Sequence, residues 1–178
     1  YSETDAKRPL NLYGRMKADI EDFLLRRPGR HCVMRTGWNV PVEHDARCVV
    51  QEAYARLREG NARMAADNEI NVSDIRDTAR AVVSLCHRTD RPPVIHLAAC
   101  PPVDRARMCD WIIGESRFGT TMRVEKIRHS QLTYTEPRPL KAWLDNTMAV
   151  DQFGFAFSSP EDTVRNKVRI LDKHHATG

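Results

Sequence analysis

Apolar positions along the chain fall either into helical stripes or into short solid runs. Between Leu10 and Arg27, the residues Leu12, Met16, Ile20, Phe23 and Leu24 recur at the period of an amphipathic helix, and Pro28-Gly29 stops it. The run His31 to Thr36 is short, mostly apolar and closed by Gly37, which predicts a buried strand of a parallel sheet. A helix is predicted from about Ala46 to Glu59, with Val49, Val50, Ala53 and Leu57 on one face and Gly60 as its stop. Another is predicted from Ser73 as N-cap to His87, burying Ile75, Ala79, Val82, Val83 and Cys86. Val94 to Ala98, entered through Pro92-Pro93, reads as a second buried strand. It is followed by a helix from about Asp104 to Gly114 that uses Met108, Trp111 and Ile112. Irregular chain with the turn Glu136-Pro137-Arg138-Pro139 leads to the best-signalled element. There Ser159 stands as N-cap, Pro160 at the first helical position, Glu161 and Asp162 in the first turn, and Val164, Val168 and Leu171 form the stripe.

Strands alternating with helices imply an α/β fold of parallel units. Only two such strands are clear, and two parallel strands do not make a stable doubly wound sheet, so their neighbours are expected in sequence outside this chain. The polar, turn-like opening Tyr1-Ser2-Glu3-Thr4-Asp5 reads as a loop continued from upstream.

Composition narrows the function classes. With 178 residues, 41% hydrophobic and 29% charged, the chain has room for one ordinary domain or part of a larger one. A net charge of +4 is too small and too dispersed to argue for nucleic acid, though it would suit an anionic substrate. Arg26, Arg27 and Arg30 read as the solvated end of a helix. Five cysteines, odd in number and never spaced C-x-x-C, read as buried free thiols in a reducing compartment. The histidines show no metal spacing, and His174-His175 reads as part of a disordered or added tail. No apolar stretch reaches membrane-spanning length. A soluble, cytoplasmic protein without nucleic-acid, membrane or metal partner is expected.

Tyr13-Gly14-Arg15-Met16-Lys17 is a Y-x-x-x-K motif on the first helix, and residues four apart share a helix face. A phenol with pKa near ~10 is a poor proton donor and acceptor at neutral pH. A neighbouring ammonium stabilises the phenolate, so the pair can protonate a carbonyl oxygen or run the reverse. Alone, the motif is equally a surface tyrosine beside a solvated lysine.

The stretch from Tyr1-Ser2-Glu3-Thr4-Asp5 through Pro9 to Lys17 resembles the Y-x-E-x-D loop and P-x-x-x-Y-G-x-x-K helix of extended short-chain dehydrogenases. Arg35-Thr36-Gly37-Trp38 is similar to the R-T-x-W of the dTDP-4-dehydrorhamnose reductases. Ala66-Asp67-Asn68 and Asn71-Val72-Ser73-Asp74-Ile75 resemble their substrate-domain entry, without its usual Gly and Pro-Thr. Arg138-Pro139 with Leu144-Asp145 resembles their R-P…L-D segment.

The resemblance implies the C-terminal part of a Rossmann-type parallel sheet plus a small substrate-binding subdomain. Residues 1–45 would end the NAD(P)-binding region. Residues 46–178 would mainly bind substrate, with 94–98 returning to the sheet. The glycine-rich first half, and the Ser/Thr that polarises the carbonyl, would lie upstream. The resemblance further implies Tyr13 as acid/base, with Lys17 its partner and a donor to the nicotinamide ribose. Thr36 and Gly37 would approach the nicotinamide of NAD or NADP with backbone groups. Trp38 would stack on or wall off the sugar, or else sit in the core, and Arg138 would meet a diphosphate or a local carboxylate. The expected activity is reduction of a keto group on a nucleotide-activated sugar. The alternatives are an epimerase or dehydratase, or a non-catalytic regulatory subunit like the one that binds methionine adenosyltransferase. Expected partners are the nucleotide sugar and either the missing half or a second copy of the chain.

Overall fold

The computed structural model describes residues 1–29, 31–60 and 62–175. Arg30 of the basic cluster lies outside them. Helix α1 (Leu12–Leu25) begins where the Asn11 side chain accepts from the Gly14 amide at 2.9 Å. Strand β1 (Val33–Thr36) follows. Strand β2 (Trp38–Val40) leads to helix α2 (Val49–Arg58), which ends before Gly60 at φ +74°. Strands β3 (Ala62–Ala65), β4 (Glu69–Ile70) and β5 (Val72–Asp74) precede helix α3 (Ile75–His87). Then come β6 (Val94–Leu97), β7 (Val103–Asp104), helix α4 (Arg105–Glu115), β8 (Val124–Ile127), β9 (Lys141–Ala142) and helix α5 (Pro160–His174).

The two predicted strands pair in parallel, β1 with β6, in the register Val33↔Val94 to Thr36↔Leu97. Among the described residues, the other edge of β1 has no partner. Side chains alternate across this pair. One face places Ile95 and Leu97 in a core with Ala81, Leu85 and Ala149, flanked by Met34, Phe153, Phe155 and Phe157. The opposite face carries Arg35 and His96 beneath α1. A second, larger core joins α2, α4 and α5. Val50, Leu57, Met108, Ile112, Val164 and Val168 are fully enclosed there. Helix α5 is capped as predicted, the Ser159 hydroxyl accepting from the Asp162 amide at 3.0 Å.

Several short strands were not legible. β2 pairs with β5 and β3 with β8, both in parallel, while β4 lies between antiparallel β7 and parallel β9. Each is two to four residues long, too short for a period of two to show. Helix α3 corrects two expectations. Its N-cap is Asp74, which accepts from the Arg76 amide at 2.8 Å, whereas Ser73 is buried in β5 and accepts from the Ala99 amide. Its inward face is Asp77, Thr78, Ala81 and Leu85. Ile75, Ala79, Val83 and Cys86 are exposed and Val82 is half-buried. The polar inner residues are satisfied by protein. Asp77 accepts from the Ser158 amide at 2.6 Å, and the Thr78 hydroxyl donates to Asn39 Oδ1 at 2.9 Å.

The apolar stripe of α1 is likewise uncovered, with Leu12, Met16, Ile20 and Phe23 all exposed. The chain exposes 10583 Å². A compact monomer of 178 residues exposes about 8,800 Å². Surface that a closed domain would bury is thus open, and α1, α3 and the β1 edge contribute to it.

The five cysteines are free, but only Cys48 and Cys109 are buried; Cys32 and Cys100 are half-buried and Cys86 is exposed. His174 ends α5 and its ring stands 3.8 Å from that of His44, while His175 stacks on Tyr54 at 5.9 Å. That pair therefore belongs to the helix end rather than to a disordered tail. Among the described residues, no helix is long and apolar enough to cross a membrane.

Candidate functional site

Helix geometry puts Tyr13 and Lys17 on one face, and the Lys17 ammonium lies 5.4 Å from the Tyr13 ring centroid. Tyr13 is 68% exposed. Lys17 lines a hollow of about 280 Å³ with Gly14, Glu21 and Arg35, and among the described residues it has no carboxylate partner. One turn further, Glu21 fixes the helix. Its carboxylate accepts from Arg35 Nη2 at 2.6 Å and Nε at 3.0 Å, a bidentate pair. The Arg35 hydrogen bonds hold the Glu21 carboxyl below the usual range. Arg35 immediately precedes Thr36, so this clamp ties the Y-x-x-x-K helix to the C-terminal end of β1.

The clamp continues inward to a histidine that the sequence did not single out. His96 is fully enclosed. Its Nδ1 donates to the Asp145 carbonyl at 2.9 Å, so its Nε2 accepts from Arg35 Nη1 at 3.1 Å. Burial pushes the His96 pKa down and the Arg35 charge adds to this, against Glu3 and the Asp145 carbonyl. A histidine with a lowered folded pKa binds its proton more readily in the unfolded chain. Its contribution is therefore complete above the unfolded pKa of ~6.5 and shrinks as pH falls below it. Denaturant midpoints should drop between pH 7.5 and 5.5, and His96→Gln should flatten that slope. An unchanged slope would remove His96 from the pH dependence.

At the end of β1, Thr36 is exposed and pairs with Leu97, while Gly37 passes under Asn71. A Cβ on Gly37 would lie 2.6 Å from the Asn71 Cβ, so this crossing already demands glycine. Asn71 itself is fully buried. Its Nδ2 donates to the Ala99 carbonyl at 2.9 Å and the Leu144 carbonyl at 3.2 Å, and its Oδ1 accepts from the Leu144 amide at 2.7 Å. One side chain thus joins the exits of β6 and β9 to the start of β5.

Beyond Gly37 the chain opens into a cleft of about 650 Å³, which Trp38 and Arg138 both line. Trp38 is 40% exposed, so it is a wall rather than a core aromatic. Arginines 47, 56, 63, 105 and 138 surround this cleft, and among the described residues Glu52 is its one acidic residue. Arg47 is paired with Glu52 at 2.6 Å and Arg63 with Glu125 at 3.0 Å. Among the described residues, Arg56, Arg105 and Arg138 have no carboxylate partner, so the expected pairing of Arg138 with a local carboxylate is not found. Arg138 lies over Tyr134 at 5.5 Å and Arg105 over Trp38 at 5.7 Å. Burial pushes the Arg105 pKa down and the Arg138 and Arg56 charges add to this, against Tyr134 and Glu52. Tyr13 and Lys17 line neither this cleft nor its wall.

Sequence reading missed Arg56, Arg105 and Tyr134. For Arg105 a signal existed. It is the first residue of α4, behind the Asp104 cap, where the helix dipole favours an anion and disfavours a cation.

The RmlD substrate binding domain model matches residues 1–172. The chain belongs to that family. Among solved structures, a dTDP-4-dehydrorhamnose reductase from Clostridium acetobutylicum aligns with a TM-score of 0.84 at 17% identity, covering 96% of this chain and 59% of that one. A dTDP-4-dehydrorhamnose reductase from Bacillus anthracis, in complex with NADP, aligns at 0.75 with 18% identity, over 93% and 57%. A dTDP-glucose 4,6-dehydratase from Bacillus anthracis, in complex with NAD, aligns at 0.76 with 12% identity, over 99% and 57%. These likenesses show a shared Rossmann-like α/β fold, and this chain spans less than two thirds of each relative. No curated protein matches the sequence.

Proposed function

We propose that this chain carries the catalytic helix and the substrate cleft of an NAD(P)-dependent oxidoreductase that reduces a keto group on a nucleotide-activated sugar. The arginine-lined cleft beside Trp38 carries the reading. A nucleoside diphosphate sugar offers two phosphate charges and a sugar face, and the cleft offers unpaired guanidiniums and an exposed indole. In this reading residues 1–45 close the nicotinamide region. Residues 46–178 mainly hold the sugar nucleotide, with 94–98 returning to the sheet.

Tyr13 and Lys17 are free to serve a bound nicotinamide, Tyr13 being exposed and Lys17 lacking a carboxylate partner among the described residues. The nicotinamide, when bound, supplies a hydride. Tyr13 gives its phenolic proton to the carbonyl oxygen of the sugar. Lys17 would hold the phenolate that remains and would donate to the ribose hydroxyls. Backbone groups at Thr36 and Gly37 would border the nicotinamide, Trp38 would stack on the sugar, and Arg138 with Arg56 would hold the diphosphate.

Calorimetric titration of the chain with dTDP-glucose and UDP-glucose should show saturable binding of at least one. Arg138→Ala should weaken it about ten-fold, the size of one charge-assisted contact. Binding of neither at millimolar concentration, or an unchanged affinity in the variant, would defeat the reading.

A further inference from the structure

The charges around the cleft do not match a neutral sugar nucleotide. With Arg47 and Arg63 neutralised by Glu52 and Glu125, three guanidiniums, those of Arg56, Arg105 and Arg138, face the cleft without a carboxylate partner among the described residues. A diphosphate diester carries two negative charges, which leaves one cation over. Of the three only Arg105 is half-buried, and Glu52 acts on it without forming an ion pair. A guanidinium held partly out of water in this way gains from a ligand that pairs with it.

The positions along the cleft decide which cation is left over. Arg138 stands over Tyr134, at the wall contributed by residues 132–138. Arg105 lies against the indole of Trp38, one residue beyond Gly37, and also feels Tyr134 and Arg138 across the cleft. Trp38 is the wall nearest the end of β1, where the reacting sugar sits in the proposed reading. In that reading the indole contact turns Arg105 toward the sugar. A neutral hexose has nothing to give it.

Resting on the nucleotide-sugar reading, we propose that the substrate carries an acidic group on its sugar ring, a carboxylate of the uronic type, and that Arg105 pairs with it. Arg56 and Arg138 then remain for the diphosphate, three cations against three anions. The pair would form against Trp38 with Arg105 anchored at the first turn of α4, so the carboxylate also meets the positive end of that helix.

The test is a set of paired titrations of this chain at one fixed salt concentration. The probes are UDP-glucuronate against UDP-glucose, and dTDP-glucuronate against dTDP-glucose. The acidic sugar should bind at least ten-fold tighter than its neutral twin on whichever nucleotide binds. Arg105→Met should lose far more affinity for the acidic ligand than for the neutral one, bringing the ratio to about two or less. Arg105→Lys, which keeps the charge but not the fork, should retain part of the preference. Equal binding of the twins by the unmodified chain would overturn this inference and leave the nucleotide-sugar reading standing. Binding of none of the four would defeat both. A preference that survives in a folded Arg105→Met variant, checked by its melting profile, would place the carboxylate elsewhere and overturn the assignment to Arg105.

Discussion

Asn71→Ala should lower the stability of the chain by about 3 kcal/mol, because it strands buried backbone groups that cost roughly 1–3 kcal/mol each when left unpaired. The Ala99 carbonyl, the Leu144 carbonyl and the Leu144 amide all lose the partner that Asn71 provides at 2.9, 3.2 and 2.7 Å. Water can replace little of this, since Asn71 is fully enclosed. Urea unfolding should show a lower midpoint with an unchanged slope, as the surface exposed on unfolding is nearly the same. The substituted side chain also sits over Gly37, so the walls of the sugar cleft and the end of β1 should loosen together. A midpoint within error of the unmodified chain would mean that other contacts hold the crossing.

Tyr13→Phe, in a form of the protein that binds the nicotinamide cofactor, should reduce kcat by about 10²-fold or more, the scale of losing a positioned acid/base. The fold should be untouched, because Tyr13 is exposed and only a hydroxyl is removed. Lys17→Met should slow turnover as well, since it removes the ammonium that now stands 5.4 Å from the Tyr13 ring. Cofactor affinity should fall with it. The double variant should be little worse than the worse single one, because the two groups act as a unit. Near-normal turnover of Tyr13→Phe would mean that the motif is a helix face on a binding protein and not a catalytic pair.

What the sequence revealed follows from how local each signal is. Helix α5 was legible because Ser159, Pro160, Glu161 and the Val164, Val168, Leu171 stripe lie within thirteen residues of one another. Strands β1 and β6 were legible as apolar runs bounded by Gly and Pro. The pairings β2 with β5 and β3 with β8 were not, because each joins fragments of three or four residues far apart in the chain. Helix α3 was assigned the wrong buried face for a different reason. Hydrophobic periodicity reads Asp77 and Thr78 as solvent-facing, whereas Ser158 and Asn39 satisfy them inside. The Tyr13 and Lys17 pairing was visible from spacing alone. The cleft was visible only through the resemblance that marked Trp38 and Arg138. Arg56 and Arg105 reach it from two separate helices, and the one local sign is the place of Arg105 directly behind the Asp104 cap.

The cleft beside Trp38 is the centre of the functional reading, and the indole itself can report on it. The chain has three tryptophans, Trp38, Trp111 and Trp143, and so three indole N–H signals that Trp38→Phe assigns. Of these only Trp38 lines the arginine cleft. Titration with dTDP-glucose or UDP-glucose, followed by nuclear magnetic resonance, should shift the Trp38 indole saturably while Trp111 and Trp143 stay in place. A Trp38 signal that does not move up to millimolar ligand, or a saturable shift confined to the other two, would contradict the assignment of this cleft to a nucleotide sugar.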